Sequence, residues 1–290
     1  MWAGGVFERN DVSSSATVLR TPVYSNIRER GYIWRLRALA ERRDLIWEIT
    51  IRNLKVRYRR SVFGFLWTVL NPLLNALVFT VVFKVIIHSQ VDRFILFIII
   101  GIVAWNAFAA SVLESMSIIT GSDNLITRVH FPHEVLPIAV VMTNMINFLF
   151  AMPSIFLIMV VTHTPLKSQV VFFPIVLVSA FCFALGISFI SAATNVFFKD
   201  TRNFLDVVMT LWWFLTPIIY PMKDVFPTTA RIVYIANPMA SIVQQYRLIF
   251  YDNAPLDLSF LARTLFSCVL TMILGWLFFA KMSPRFAEEL

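Results

Sequence analysis

The sequence predicts an all-α integral membrane protein. Six transmembrane helices are expected, with an N-terminal amphipathic interfacial helix and two short outer re-entrant helices between spans five and six. Three observations carry that class. Apolar residues fill 58% of the 290 positions and charged residues 14%, against about 45–50% and about 25% in soluble domains. The charge is segregated, so windows of the roughly 20 residues needed to cross a bilayer carry almost none. Residues 1–60 hold 13 Lys and Arg against 6 Asp and Glu, a basic block of the kind found beside a cytosolic membrane surface. Together these exclude a soluble enzyme, a disordered chain and a disulfide scaffold. Cys182 and Cys268 lie inside apolar runs, and His88, His130, His133 and His163 show no ligand spacing. No disulfide framework and no metal site are therefore expected. No soluble domain accompanies the basic block, so nucleic acid is not an expected partner.

Residues 1–31, with Ser13-Ser14-Ser15, Pro22 and Gly31, read as a polar cytosolic tail. The first apolar run starts after residue 60 with no cleavage pattern before it, so no signal peptide is expected. Residues 32–60 read as an amphipathic helix in the headgroup region. Tyr32, Leu36, Leu39 and Ile46 recur at helical spacing, Arg52, Lys55 and Arg59 share a stripe, and Trp34 and Trp47 supply interfacial anchors. A six-span domain follows over 61–285. Its spans cover 63–87 (with Asn71-Pro72 expected to interrupt it), 94–116, 135–161, 171–196, a short 204–220, and 258–280. Counting on alternate sides gives 18 Lys and Arg with the N-terminus and 7 opposite, so both termini are expected in the cytosol. The outer segment 221–257 carries Ile242, Val243, Tyr246, Ile249 and Phe250 at helical spacing, and prolines punctuate it. It reads as two short helices dipping back toward the membrane, which irregular backbone tolerates only against protein or a water-lined cavity.

Some chemistry is missing from the chain. Its eight glycines form no G-x-x-x-x-G-K-[ST], so ATP hydrolysis by a phosphate loop is not expected here. Glu114 and Asp206 are the acidic residues drawn furthest into spans, both toward cytosolic ends. Carboxylate relays at the midplane, as a proton-coupled carrier needs, are not seen. The inner segment 122–131 carries Leu125, Ile126, Val129 and Phe131 before Pro132. These apolar residues form either a docking surface or packing under the bundle. Aromatics at helical spacing, such as Phe63/Trp67, Phe79/Phe83, Phe94/Phe97 and Trp105/Phe108, suit either lipid and interface or the C–H faces of sugar rings.

The run Arg52-Asn53-Leu54-Lys55-Val56-Arg57-Tyr58-Arg59-Arg60-Ser61-Val62-Phe63-Gly64-Phe65-Leu66-Trp67, continuing to Leu70-Asn71-Pro72-Leu73, closely resembles the start of span one in polysaccharide-exporting ABC transporter permeases. These serve O-antigen, teichoic acid and capsule export. Asn124-Leu125-Ile126 through Phe131-Pro132 resembles that family's coupling helix. Lys199-Asp200-Thr201-Arg202-Asn203, Thr216-Pro217-Ile218-Ile219-Tyr220-Pro221 and Asn237-Pro238-Met239 are similar to its later landmarks. The resemblance spans about residues 32–285. The long N-terminal tail is similar to the actinobacterial branch, whose permease exports cell-wall galactan.

The resemblance implies a half-transporter in the bacterial inner membrane, without catalytic activity of its own. A homodimer of this chain would form the pore. Two separate ATP-binding cassette subunits, carrying ATP and Mg, would dock on Asn124, Leu125, Ile126, Arg128, Val129 and Phe131. Lipid-linked polysaccharide would enter from the inner leaflet between spans one and five and slide past aromatic rings. Trp67, Phe97, Trp105, Phe108, Trp212 and Tyr220 are the candidates for that path. Asp200 and Arg202 match positions at the inner mouth, where either gating or plain ion pairing fits. The alternatives are an ABC permease for drugs or small lipids, and an ATP-independent glycan flippase or glycosyltransferase.

Overall fold

The computed structural model describes residues 32–59, 63–121, 132–198, 200–222, 228–252 and 254–289, and among them every regular element is helical. Helices α1 (Tyr32–Glu41) and α2 (Arg43–Tyr58) replace the single amphipathic helix expected over 32–60, with the break at Arg42. Next come α3 (Leu66–Val81), prolonged by a π-helical turn Val82–Ile86, then α4 (Phe94–Thr120) and α5 (Val135–Val161). A 3₁₀ turn Ser168–Phe172 leads into α6 (Phe173–Phe197), and α7 is Thr201–Leu215. Two short helices, α8 (Ala230–Ala236) and α9 (Pro238–Phe250), precede α10 (Leu258–Met282) and the small α11 (Phe286–Glu289).

Among the described residues, five helical segments are long and apolar enough to cross a membrane: Leu66–Ile86, Phe94–Thr120, Val135–Val161, Ser168–Phe197 and Leu258–Arg285. These coincide with expected spans one, two, three, four and six to within a few residues. The expected interruption at Asn71-Pro72 does not occur, because α3 runs through it and buries Pro72. The expected fifth span, 204–220, is shorter than the sequence suggested. Helix α7 has 15 residues, about 22 Å at 1.5 Å per residue. It stops because Pro217 drives the preceding residue out of helical conformation, and Thr216 is extended at φ −95°, ψ 129°.

Helix α4 forms the centre and packs against α3, α5, α6, α7 and α9. Polar side chains bond its neighbour α6 to it: Ser188 Oγ donates to Ser111 O at 3.0 Å and Asn195 Nδ2 to Met116 O at 2.9 Å. Such interhelical bonds and small-residue contacts hold membrane helices together where lipid offers no hydrophobic drive. The closest crossing joins α6 and α10. A Cβ built on Gly275 falls 2.1 Å from Gly186 O, and one on Gly186 falls 2.5 Å from Thr271 O. Only glycine permits that backbone contact.

Helix α2 lies along α5, with Thr50 Oγ1 reaching Ala139 O at 3.4 Å. Arg35 of α1 donates to Glu134 Oε1 and to Ser283 Oγ, each at 3.0 Å. The Glu134 side chain is 2% exposed. This buried pair fastens the N-terminal helices to the start of α5 and the end of α10.

The α8–α9 unit covers the bundle end where α4, α6 and α10 begin. Asn237 caps α9 by accepting from the Met239 and Ala240 backbone N–H groups, and Pro238 occupies the first turn. Expected apolar positions Ile242, Val243, Tyr246, Ile249 and Phe250 are all buried, as are Ser241, Gln245 and Arg247. A helix buried all round is a core element. Its depth is read from a small cavity of about 10 Å³ that Met239 and Tyr246 line with Ala104 and Phe108. Those two α4 residues lie about 15 and 21 Å along the helix from Phe94.

Candidate functional site

The outward faces of α5, α6 and α10 are apolar. Leu149, Phe156, Leu157, Val160, Val171, Val178, Ile190, Phe266, Leu270, Ile273 and Phe278 are among their exposed residues. The side formed by α3, α4 and α7 differs. On α4 the exposed residues are Asn106, Glu114 and Ser117, all polar. On α3, Asn71 and Asn75 are exposed one turn apart, and on α7 Asn203, Asp206 and Thr210 share an exposed stripe. Phe79 meets Trp213 at 5.9 Å between ring centroids, so α3 and α7 close over α4 toward the outer end. Polar side chains at membrane depth face protein or water, because lipid cannot satisfy them. On the α3–α4–α7 side such groups stand exposed among apolar residues, with Leu74, Leu77 and Val78 on α3 and Phe204, Val207 and Leu211 on α7.

At its inner end sits a bonded polar cluster. Arg57 Nη2 reaches both Glu114 oxygens at 2.7 Å, and Arg57 Nη1 donates to Asn144 Oδ1 at 3.0 Å. Asn144 Nδ2 returns to Glu114 Oε2 at 2.9 Å. Beside it Tyr58 OH bonds Asn147 Oδ1 and lies 2.9 Å from Thr68 Oγ1. This charged pair is partly exposed and backed by the buried Asn144. Along α2 an open groove of about 530 Å³ runs past Trp47, Ile51, Arg52, Lys55 and Arg59, so the basic stripe expected there is assembled.

The described helices thus present an apolar surface on the α5–α6–α10 side and a mixed polar and apolar surface on the α3–α4–α7 side. The family described as ABC-2 type transporter matches residues 44–251. The chain belongs to the ABC-2 type transporter family. It is similar to the O-antigen export system permease protein RfbA of Myxococcus xanthus, with 37% identity over 219 residues, 75% of this chain and 84% of that protein. It is also similar to two RfbA permeases of Klebsiella pneumoniae. They are 32% and 33% identical over 248 residues, covering 85% of this chain and 95% of each.

Within this ABC-2 subunit the expected aromatic path residues divide. Trp67 is exposed on α3, and Tyr220 is half-buried with its hydroxyl on Phe214 O at 2.7 Å. Trp212 is half-buried on α7, and its indole N–H donates to Asn237 Oδ1 at 3.0 Å. Phe97, Trp105 and Phe108 are buried. Phe108 stacks on Phe183 at 5.2 Å and meets Trp212 edge-on at 5.2 Å, while Trp105 packs on Phe108 at 5.4 Å. The chain's own side chains thus pack around these three rings. Asn124, Leu125, Ile126, Arg128, Val129 and Phe131, the residues expected to dock the ATP-binding subunit, lie outside the described residues. Asp200 and Arg202, at the start of α7, are exposed.

Residues that sequence reading passed over include Asn106, Asn144 and Arg247. Asn106 is a lone polar residue in an apolar run, a signal in itself for a membrane helix. Arg247 was counted as an outer-side charge, yet it is 1% exposed.

Proposed function

We propose that this chain is the permease subunit of an ATP-driven exporter that moves lipid-linked polysaccharide from the cytosolic to the outer face of the bacterial inner membrane. The glycan is of O-antigen or galactan type, in line with the RfbA relatives and the long tail. Two copies of the chain join across their α3, α4 and α7 faces, and the glycan passes between them. Two separate ATP-binding subunits, holding ATP and Mg, dock on the 122–131 segment. Both termini are cytosolic. Helix α7 with the turn after it serves as a short sixth crossing, and α8 and α9 are outer re-entrant helices closing the exit.

The observation that carries this reading is the exposed trio on α4. Helix α4 is buried over most of its surface, and its exposed residues are Asn106, Glu114 and Ser117, beside half-buried Ala109, Ala110 and Leu113. Glu114 is already paired with Arg57, but an amide and a hydroxyl facing acyl chains are costly. The same groups are at home against water and sugar hydroxyls, which they hydrogen-bond weakly and repeatedly as a multi-site path requires. Of the aromatic candidates, Trp67 and Tyr220 stand nearest this role.

The test is Asn106→Leu combined with Ser117→Leu, which removes two of the three exposed polar side chains of α4 and leaves the Glu114–Arg57 pair intact. Surface glycan at equal membrane abundance is expected to fall at least about tenfold while ATP hydrolysis by the complex continues. Unchanged surface glycan would show that the polar side does not carry the substrate.

A further inference from the structure

We propose that Arg247 is a positioning residue for export. Its guanidinium pins the broken outer end of α7 to α9, so that span five and the outer segment move as one body. Helix α7 ends at Leu215, and the carbonyls of Pro217 and Ile218 beyond it have no helical partner. Arg247 Nη1 donates to Pro217 O, and Nη2 donates to Ile218 O at 2.7 Å. Nε reaches Phe97 O at 3.4 Å, and the guanidinium carbon lies 3.5 Å from the Phe97 ring centroid. One side chain on α9 thereby holds α7's exit turn and the first turn of α4 together.

A second contact holds the same turn from the other end of α9. Asn237 accepts from the Trp212 indole at 3.0 Å and donates to Thr216 Oγ1 at 3.1 Å. The backbone makes room for this joint at Gly101. A Cβ there would lie 3.1 Å from Ile218 Cγ2 and 3.3 Å from Arg247 Nη2.

Packing alone gives no reason for a cation at this place. A buried ion is costly, and replacing it with a well-packed apolar residue is often neutral or stabilising. No carboxylate lies within salt-bridge distance of Arg247 among the described residues. What guanidinium offers over any apolar residue, or over lysine, is a rigid fork that grips several carbonyls at once. An ionisable residue kept at membrane depth marks function more often than fold. The function assigned here is mechanical: a shift of α7 at the cytosolic side reaches the outer segment through Arg247. The link to export rests on the permease reading above, whereas the pinning itself rests on the geometry.

The test uses the membrane-embedded complex with its ATP-binding partner. Single cysteines are placed at Leu215, on the end of α7, and at Ile235 on α8, which Ser241 of α9 bonds through Tyr234 O at 2.7 Å. Both positions are exposed, and the native Cys182 and Cys268 are buried. Maleimide labelling is measured with and without ATP and vanadate. In the unaltered chain both rates are expected to change severalfold together. In Arg247→Met the Leu215 probe should still respond while the Ile235 response falls to within about twofold of the nucleotide-free rate. Arg247→Lys, which keeps the charge and loses the fork, should recover only part of it. Probes that still change together in Arg247→Met would overturn the pin. Should that variant fail to reach the membrane, Arg247→Gln, which lacks the fork and the charge, is read in its place: an Ile235 response that falls while Leu215 still responds supports the pin, and probes that change together overturn it. No nucleotide response at either probe in the unaltered chain would instead overturn the permease reading and the coupled motion with it.

Discussion

Replacing Gly275 by alanine probes the tightest contact in the bundle. The new Cβ would lie 2.1 Å from Gly186 O and 2.9 Å from Gly186 Cα. Ordinary contact begins near 3.4 Å, so α6 and α10 must part by roughly 1.3 Å. A gap of 0.5–1 Å already forfeits about a quarter to a half of each neighbouring dispersion contact. Overpacking of this kind costs about 1–3 kcal/mol. Backbone stands against backbone here and no side chain can rotate away, so the cost belongs at the upper end, about 3 kcal/mol. At about 2–4 °C per kcal/mol for a chain of this size, the melting midpoint of the reconstituted protein should fall by about 6–12 °C. Leu274→Ala, at an exposed position one residue earlier, should move it far less. The crossing lies away from the α3–α4–α7 face. Surface glycan should therefore fall only in proportion to membrane abundance, with transport per folded molecule unchanged. A Gly275→Ala midpoint equal to that of the unaltered chain would refute the close crossing.

Two further outcomes follow from docking and topology. Ile126→Asp is expected to release the ATP-binding subunit from the purified complex while the permease still folds, because a buried apolar anchor can carry about 2 kcal/mol or more of an interface. An intact complex with unchanged ATPase rate would remove the 122–131 segment from that role. A cysteine at Asn253 should react with an external reagent in intact cells and one at Ser14 should not, since the basic block at 1–60 sets orientation. Labelling at Ser14 would invert the topology.

Much of this architecture is legible one residue at a time. The run 135–161 carries no charged residue and begins just after Pro132 and Glu134, so α5 matches its expected bounds. The i, i+1, i+4, i+7 spacing from Ile242 to Phe250 marked α9 correctly, because every one of those positions is buried. The aromatic path was less legible. Spacing shows that Trp105 and Phe108 neighbour each other, but α4 is apolar nearly all round and presents no hydrophobic stripe to say which side faces inward. The burial of Trp105 and Phe108 and the exposure of Asn106 come from the packing of α3, α5, α6 and α7 around α4, which spacing along one helix does not encode. Arg247 was illegible for a different reason. Its partners lie 30 and 29 residues away at Pro217 and Ile218 and 150 away at Phe97, and a count of charges by side treats every cation alike. The end of α7 was readable in principle, since Thr216 precedes a proline, yet the apolar residues up to Tyr220 made the span look longer than its helix.

The central claim is that glycan travels along the face where α4 opens. A photo-crosslinking side chain placed at Asn106, in cells making the glycan and supplied with ATP, measures this most directly. The account predicts adducts with polysaccharide at Asn106 that disappear when ATP hydrolysis is blocked before loading, and none from the same probe at Phe266 on the apolar face of α10. Adducts with lipid alone at Asn106, or polysaccharide captured equally at Phe266, would contradict it.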